Sequence, residues 1–164
     1  MFWTIPSARK RQPHMVFVSF ALITFLTVAV LTIAGVWQPT SHTWLRVAGW
    51  LVQLLGVVLL ADSFHYLSTK GRPLDEGEPT VVVDTGVYRV TRHPMYAGMG
   101  TWAAGMALCR PNPVSALIAG ACVAFTLLAA VKEDDYNLRR FGEPYAEYMK
   151  RVRLLNVFRR QARD

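Results

Sequence analysis

Long apolar runs alternate with short polar segments along this chain. The first run, Met15 to Trp37, has 23 residues and no charge, enough to cross a hydrocarbon core of about 30 Å. Arg9, Lys10 and Arg11 precede it, so a secretory signal is the competing reading. The run exceeds a signal core of about 7–15 residues and no small-residue cleavage site follows, which favours a retained span. The second run, Trp44 to Ala61, is broken only by Arg46, whose side chain can snorkel to the interface. Gln38 to Thr43 between them is short and uncharged, so a helical hairpin is expected. The third run, Met95 to Cys109, has 15 residues; alone it reads either as a short span or as a partly interfacial helix. The fourth, Val114 to Val131, has 18. Pro111-Asn112-Pro113 marks a tight turn, so the last two runs are expected to pair as a second hairpin. The pattern predicts one all-α integral membrane domain over residues 1–164, with about four transmembrane helices and a C-terminal helical segment. Ala116, Gly120 and Ala124, four apart, form a small-residue stripe suited to close helix approach, and Gln53 in mid-run suits a hydrogen bond to a neighbouring helix.

Composition sharpens this picture. Hydrophobic residues make up 52% of the chain and charged residues 18%, with a formal net charge of +7. Disorder needs the opposite balance. In a soluble protein the positive charge would point to nucleic acid, but here the basic residues flank apolar runs, as in a membrane protein, and no nucleic-acid partner is expected. With four spans both termini share a side, and 16 of the 18 Lys and Arg fall there; only Arg46 and Arg110 fall opposite. All 11 acidic residues join the majority. The positive-inside rule places both termini, the loop from Asp62 to Pro94 and any charged chemistry in the cytoplasm. Cys109 and Cys122 sit in apolar runs, which excludes a disulfide scaffold. No His/Cys spacing suggests a metal site.

The polar residues cluster in two segments. The first runs from Lys70 to Tyr96. Gly71, Pro73, Gly77 and Pro79 make its front half a loop. Val81-Val82-Val83 reads as a short extended stretch and Asp84-Thr85-Gly86 as a turn. Tyr88, Arg89, Arg92, His93, Pro94 and Tyr96 then arrive within nine residues. Pro94 suits a first helical turn, which sets Arg92 and His93 beside free backbone donors, a natural anion pocket. Taken alone, these residues read first as headgroup anchors and second as an anion pocket. The second segment begins with Glu133, Asp134 and Asp135 directly after an apolar stretch. Acids at a membrane exit are costly unless solvated or paired. A cationic and an anionic cluster on one face suit a zwitterionic ligand. Phe141, Tyr145, Tyr148 and Val152 recur at helical spacing, so this tail packs or lies on a surface; Gly142 and Pro144 divide it into two helices. Lys150 to Arg163 is basic and carries Leu154, Leu155, Val157 and Phe158, an interfacial segment attracted to anionic lipid.

Gly71–Pro73, the stretch TGVYRVTRHPMYAG at Thr85–Gly98 and EDDYNLRRFGEPYAEYMKRV at Glu133–Val152 together resemble the isoprenylcysteine carboxyl methyltransferase and phospholipid methyltransferase group. The ordered blocks cover about 80 residues; the first two runs resemble the group only in being apolar. Two departures stand out. The paired glutamates of the group are here Glu133 and Asp134, so the second acid is expected to reach less far. Val152 is followed by Arg153 and Leu154 rather than by proline, so the tail is expected to lie differently.

The resemblance implies an S-adenosylmethionine-dependent membrane methyltransferase whose cofactor-binding half spans approximately residues 70–153. It assigns the cofactor to Tyr88, Arg92, His93, Pro94, Tyr96, Gly98, Glu133 and Asp134, and catalysis to Arg92 and Glu133. It implies a lipophilic small-molecule, lipid or prenylated substrate, entering from membrane lipid, with isoprenylcysteine-type carboxyl O-methylation first. Phospholipid amine N-methylation, an NADPH-dependent sterol-type reductase, and a non-enzymatic four-helix membrane protein are the rival readings. Gly98, Gly100 and Gly105 lie in an apolar helix rather than after a strand, so a soluble dinucleotide fold is not expected.

Overall fold

A computed structural model describes residues 14–71 and 79–154. The basic residues Arg9 to Arg11, Pro73, Gly77 and the stretch from Leu155 to Arg163 lie outside the described residues. The regular elements are helical: α1 (His14–Ile33), α2 (Thr43–Lys70), one 3-10 turn (Gly86–Arg89), α3 (Pro94–Cys109), α4 (Pro113–Phe141) and α5 (Glu143–Arg151). Three helices, α1, α2 and α4, are long and apolar enough to cross a membrane. Their outward faces stay apolar: Val30, Trp50 and Leu117 are 61–73% exposed, as lipid-facing side chains are.

The local signals that end each helix are in the sequence. Pro94 and Pro113 occupy first turns, where a missing N–H costs nothing. Asn112 caps α4 by accepting from the Ser115 N–H at 2.9 Å, and the Ser115 hydroxyl answers the Asn112 N–H at 3.3 Å. Gly142, with φ +62°, breaks α4 from α5, at the division expected from Gly142 and Pro144.

Packing departs from the expected pair of hairpins. α3 and α4 do pack, but α2 lies against α3, and α1 against α4. The reason is where small residues sit. Within lipid, apolar side chains gain little by touching one another, so close backbone approach decides the partner. Gly49 and Gly56 of α2 oppose Gly105 and Gly98 of α3: a Cβ on Gly56 would lie 2.7 Å from the Trp102 nitrogen, and one on Gly105 2.7 Å from the Gly49 oxygen. Gln53, between them, donates to Cys109 Sγ at 3.2 Å, the interhelical bond its position suggested. α1 meets α4 through Ala21 and Cys122, both fully buried, with Phe20 stacked on Phe125 at 5.2 Å. The stripe of Ala116, Gly120 and Ala124 is exposed; Ser115, Ala119, Cys122, Thr126 and Ala129 form the buried face instead.

Helix lengths position the site. α3 has 16 residues, about 24 Å, short of the hydrocarbon core. Its partners α2 and α4 have 28 and 29, about 42–44 Å each. Leu60 of α2 is already level with Gly98, so the last turns of α2 overhang the start of α3. α4 likewise runs ten residues past Val131. A chamber opens between these overhangs, roofed by residues 79–93 and α5.

Candidate functional site

The chamber encloses about 420 Å³. Its polar wall is Arg92, His93, Tyr96 and Glu133, with Tyr88, Asn137, Tyr145 and Tyr148 around it; Val81 to Val83 and Phe141 add apolar surface. Met15 and Val18 of α1, Leu67 of α2 and Met95 of α3 form a lip on the side of the membrane helices.

Asp134 is the centre of the hydrogen-bond network. It is 6% exposed. Its Oδ2 accepts from Arg92 Nη2 at 2.5 Å. Its Oδ1 accepts from His93 Nε2 at 2.8 Å and from the Tyr145 hydroxyl at 2.6 Å. A carboxylate only accepts, so His93 carries hydrogen on Nε2, and Nδ1 points towards Glu133 Oε1, 4.0 Å away. Arg92 Nη1 donates to the carbonyls of Val152 at 2.9 Å and Met149 at 3.4 Å. Arg92 Nε is buried without a hydrogen-bond partner. Glu133 differs from its neighbour: its side chain is 28% exposed, it accepts from the Tyr96 hydroxyl, and Asn137 Nδ2 lies 3.5 Å away. The Tyr96 ring stacks on His93 with centroids 5.6 Å apart.

The C-terminal helix closes this arrangement. Tyr145, Tyr148 and Val152 form one buried cluster with Val82 and Phe141 beside it, as their helical spacing suggested. The Tyr148 hydroxyl donates to the Tyr88 carbonyl at 2.7 Å. Past Val152 the backbone runs along Thr91 and Arg92: the Thr91 hydroxyl donates to the Leu154 carbonyl at 2.6 Å and the Arg92 N–H to that of Arg153 at 3.4 Å. Burial raises the pKa of Tyr145, Tyr148 and Tyr88 above the ordinary tyrosine range. The bond to Asp134 raises Tyr145 further, and the charge of Glu133 adds to Tyr88. All three stay neutral at physiological pH, and Tyr145 and Tyr148 act as donors.

Six of the eight residues assigned to the cofactor from sequence line the chamber: Tyr88, Arg92, His93, Pro94, Tyr96 and Glu133. Two do not. Asp134 lies behind the wall, holding Arg92 and His93. Gly98 faces Gly56 and Leu60 of α2; its missing side chain serves helix approach. The expected separation into a cationic and an anionic cluster is also absent, because Arg92 and Asp134 neutralise each other. Burying either charge alone would cost several kcal/mol. The shorter acid at position 134 reaches all three donors. Asn137 lies within the acidic block Glu133–Val152 but had no role assigned to it, and the Val81–Val83 wall and the lip residues had no motif to announce them. Tyr145 and Tyr148 had their i, i+3 spacing.

Known proteins bear on this geometry. Residues 44–143 match the family model described as phospholipid methyltransferase. Protein-S-isoprenylcysteine O-methyltransferase B of Arabidopsis thaliana is 33% identical over 120 residues, covering 68% of this chain and 59% of that protein. Protein-S-isoprenylcysteine O-methyltransferase of Rattus norvegicus is 29% identical over 114 residues, covering 67% and 40%. A probable protein-S-isoprenylcysteine O-methyltransferase of Oryza sativa subsp. indica is 29% identical over 164 residues, covering 91% and 78%. The chain thus spans about two fifths to four fifths of the relatives it matches. The matched region contains all but the first residue of α2, the whole of α3 and α4 and the residues Arg92, His93, Tyr96 and Glu133 of the polar wall, and this integral membrane chain belongs to the phospholipid methyltransferase family.

Proposed function

We propose that the chain is an S-adenosylmethionine-dependent methyltransferase acting on a lipophilic acceptor, the carboxylate of an isoprenylcysteine. One observation carries this reading: a chamber with a polar wall of Arg92, His93, Tyr96 and Glu133 opens past a lip of Met15, Val18, Leu67 and Met95. A charged cofactor and a greasy acceptor thus have adjoining surfaces.

The residues present fit the cofactor. The volume lies in the range of small-molecule sites, about 300–1,000 Å³. Arg92 Nε is a buried donor without a partner and suits the cofactor's carboxylate. Glu133, partly exposed, suits its ammonium or ribose hydroxyls. The tyrosine rings suit a cationic sulfonium. When bound, S-adenosylmethionine supplies a sulfonium-activated methyl group. The protein's part is to position and desolvate. Asp134 is saturated by three donors and has no role as a base, which accords with a carboxylate acceptor that has no proton to lose. By the positive-inside asymmetry the chamber faces the cytoplasm.

Amine methylation of a phospholipid is the second reading. Glu133 favours it, as a partly exposed carboxylate 4.0 Å from His93 Nδ1 that could take the proton an ammonium must lose. Purified protein with methyl-labelled S-adenosylmethionine and either N-acetyl-S-farnesylcysteine or phosphatidylethanolamine separates the two. Carboxyl methylation gives label that mild alkali releases as methanol, whereas N-methyl label is stable. Alkali-stable label would transfer the assignment to the amine; no label in either acceptor would overturn both.

A further inference from the structure

The opposite end of the bundle holds a second pocket, about 340 Å³, lined by Thr43, Arg46, Val47, Trp50, Cys109 and Arg110. Arg46 and Arg110 are the two basic residues assigned to that side by the charge pattern, and they converge on this one pocket. No Asp or Glu occurs at residues 1–61 or 85–132, so neither arginine has a carboxylate in its own part of the bundle. Arg110 Nε is buried without a hydrogen-bond partner. Its backbone is held rigidly: the Arg110 carbonyl accepts from Ser115 Oγ at 2.6 Å and Asn112 Nδ2 at 3.2 Å. The Thr40 N–H donates to the Cys109 carbonyl at 2.9 Å, pinning the loop beside it. α2 begins here with no side-chain cap, which adds the partial positive charge of a helix start.

Two like charges at a membrane boundary, with a buried donor left open, call for an anion from outside the chain. The surroundings say which kind. Trp44, Val47 and Trp50 are 69%, 52% and 63% exposed, so an apolar surface continues from the pocket towards lipid. We infer that this pocket binds the headgroup phosphate of an anionic phospholipid, with the acyl chains laid over Val47 and Trp50. The inference is independent of the methyltransferase reading, because it uses no residue of the chamber.

The test is lipid retention by the full-length protein, delipidated in detergent, incubated with dioleoylphosphatidylglycerol or dioleoylphosphatidylcholine and analysed by native mass spectrometry. The protein should retain the phosphatidylglycerol in preference. Arg46→Gln and Arg110→Gln should each weaken that binding about tenfold, the effect of losing one charge-assisted hydrogen bond. Millimolar inorganic phosphate should not displace the lipid. Arg46 is exposed and its replacement leaves the fold intact, so Arg46→Gln alone decides the matter if Arg110→Gln unfolds. Unchanged retention in Arg46→Gln, equal retention of the two lipids, or displacement by free phosphate would each overturn the inference, the last by assigning the pocket to a soluble anion.

Discussion

At Asp134 a carboxylate collects three donors from two separate places in the chain: Arg92 and His93 before α3, and Tyr145 of α5. Glu133, one residue earlier, points into the chamber and keeps partial exposure. The two acids should therefore respond differently to substitution. Asp134→Ala leaves Arg92 buried and unpaired, and should cost about 3–5 kcal/mol of stability, read by thermal unfolding in detergent. Glu133→Gln should leave unfolding almost unchanged but weaken S-adenosylhomocysteine binding roughly tenfold, read by calorimetry. Equal destabilisation by both changes would contradict this division. The RHP block and the acidic block made it legible in the sequence that Arg92, His93, Tyr96 and Glu133 gather at one membrane face, where they line the chamber. They could not reveal that Arg92 and Asp134 are partners, because order along a chain specifies which groups are near a membrane face and not which of them neutralise each other.

Among the elements, α5 works as a clamp whose two tyrosines bond to Asp134 and to the Tyr88 carbonyl. With Tyr88, these hydroxyls have pKa values raised in the folded protein, while the unfolded chain ionises near pH 10, an approximate value for free tyrosine. Above that pH the unfolded state releases protons that the folded state retains, so stability falls as pH rises past about 10. Tyr148→Phe should flatten that alkaline loss while costing about 1 kcal/mol at neutral pH, both measurable by tryptophan fluorescence. The α2–α3 contact makes a different demand. A Cβ on Gly56 would meet backbone atoms of Gly98 and Trp102 at 2.7–2.9 Å, whereas one on Gly120 would meet nothing within 4 Å. Gly56→Val should cost about 1–3 kcal/mol or more, and Gly120→Ala should leave stability within about 0.5 kcal/mol. The four apolar runs and the break at Gly142 were readable from sequence. The pairing of α3 with α4 was readable too, from the Pro111-Asn112-Pro113 turn, but the partners of α1 and α2 were not, because a helix that is apolar all round has no polar face to orient it. The signal that did decide the pairing, Gly49 and Gly56 against Gly98 and Gly105, is matched seven-residue spacing on two helices, and it has meaning only once they are placed side by side.

For the molecule as a whole, the chamber and the arginine pocket lie at opposite ends of the bundle, and the charge asymmetry orients them. Both native cysteines are buried, so introduced thiols report on a quiet background. Gln38→Cys and Ser68→Cys, both exposed positions, should react with an impermeant maleimide from opposite faces of sealed vesicles. Same-side labelling would refute the crossing of the membrane by α2 between them. That Ser68 and Glu133 lie at one end was implied by counting spans. That the chamber rises above the short helix α3 was not, because it also depends on α2 continuing to Lys70 through polar sequence that no run of apolar residues would extend; only the continuation of α4 to the break at Gly142 was expected.

The hydrogen bonds joining Thr91 and Arg92 to residues 152–154 also set an order of events. The RHP segment is synthesised about sixty positions before the residues that complete its surroundings. Until α5 has emerged and docked, Arg92 has neither its carbonyl partners nor the Tyr145 side of its counterion. The membrane helices can insert and pair in that interval, but the chamber cannot exist. A nascent chain halted before Tyr145 is thus a set of membrane helices with an open polar end, and the enclosed chamber arises only as the clamp closes.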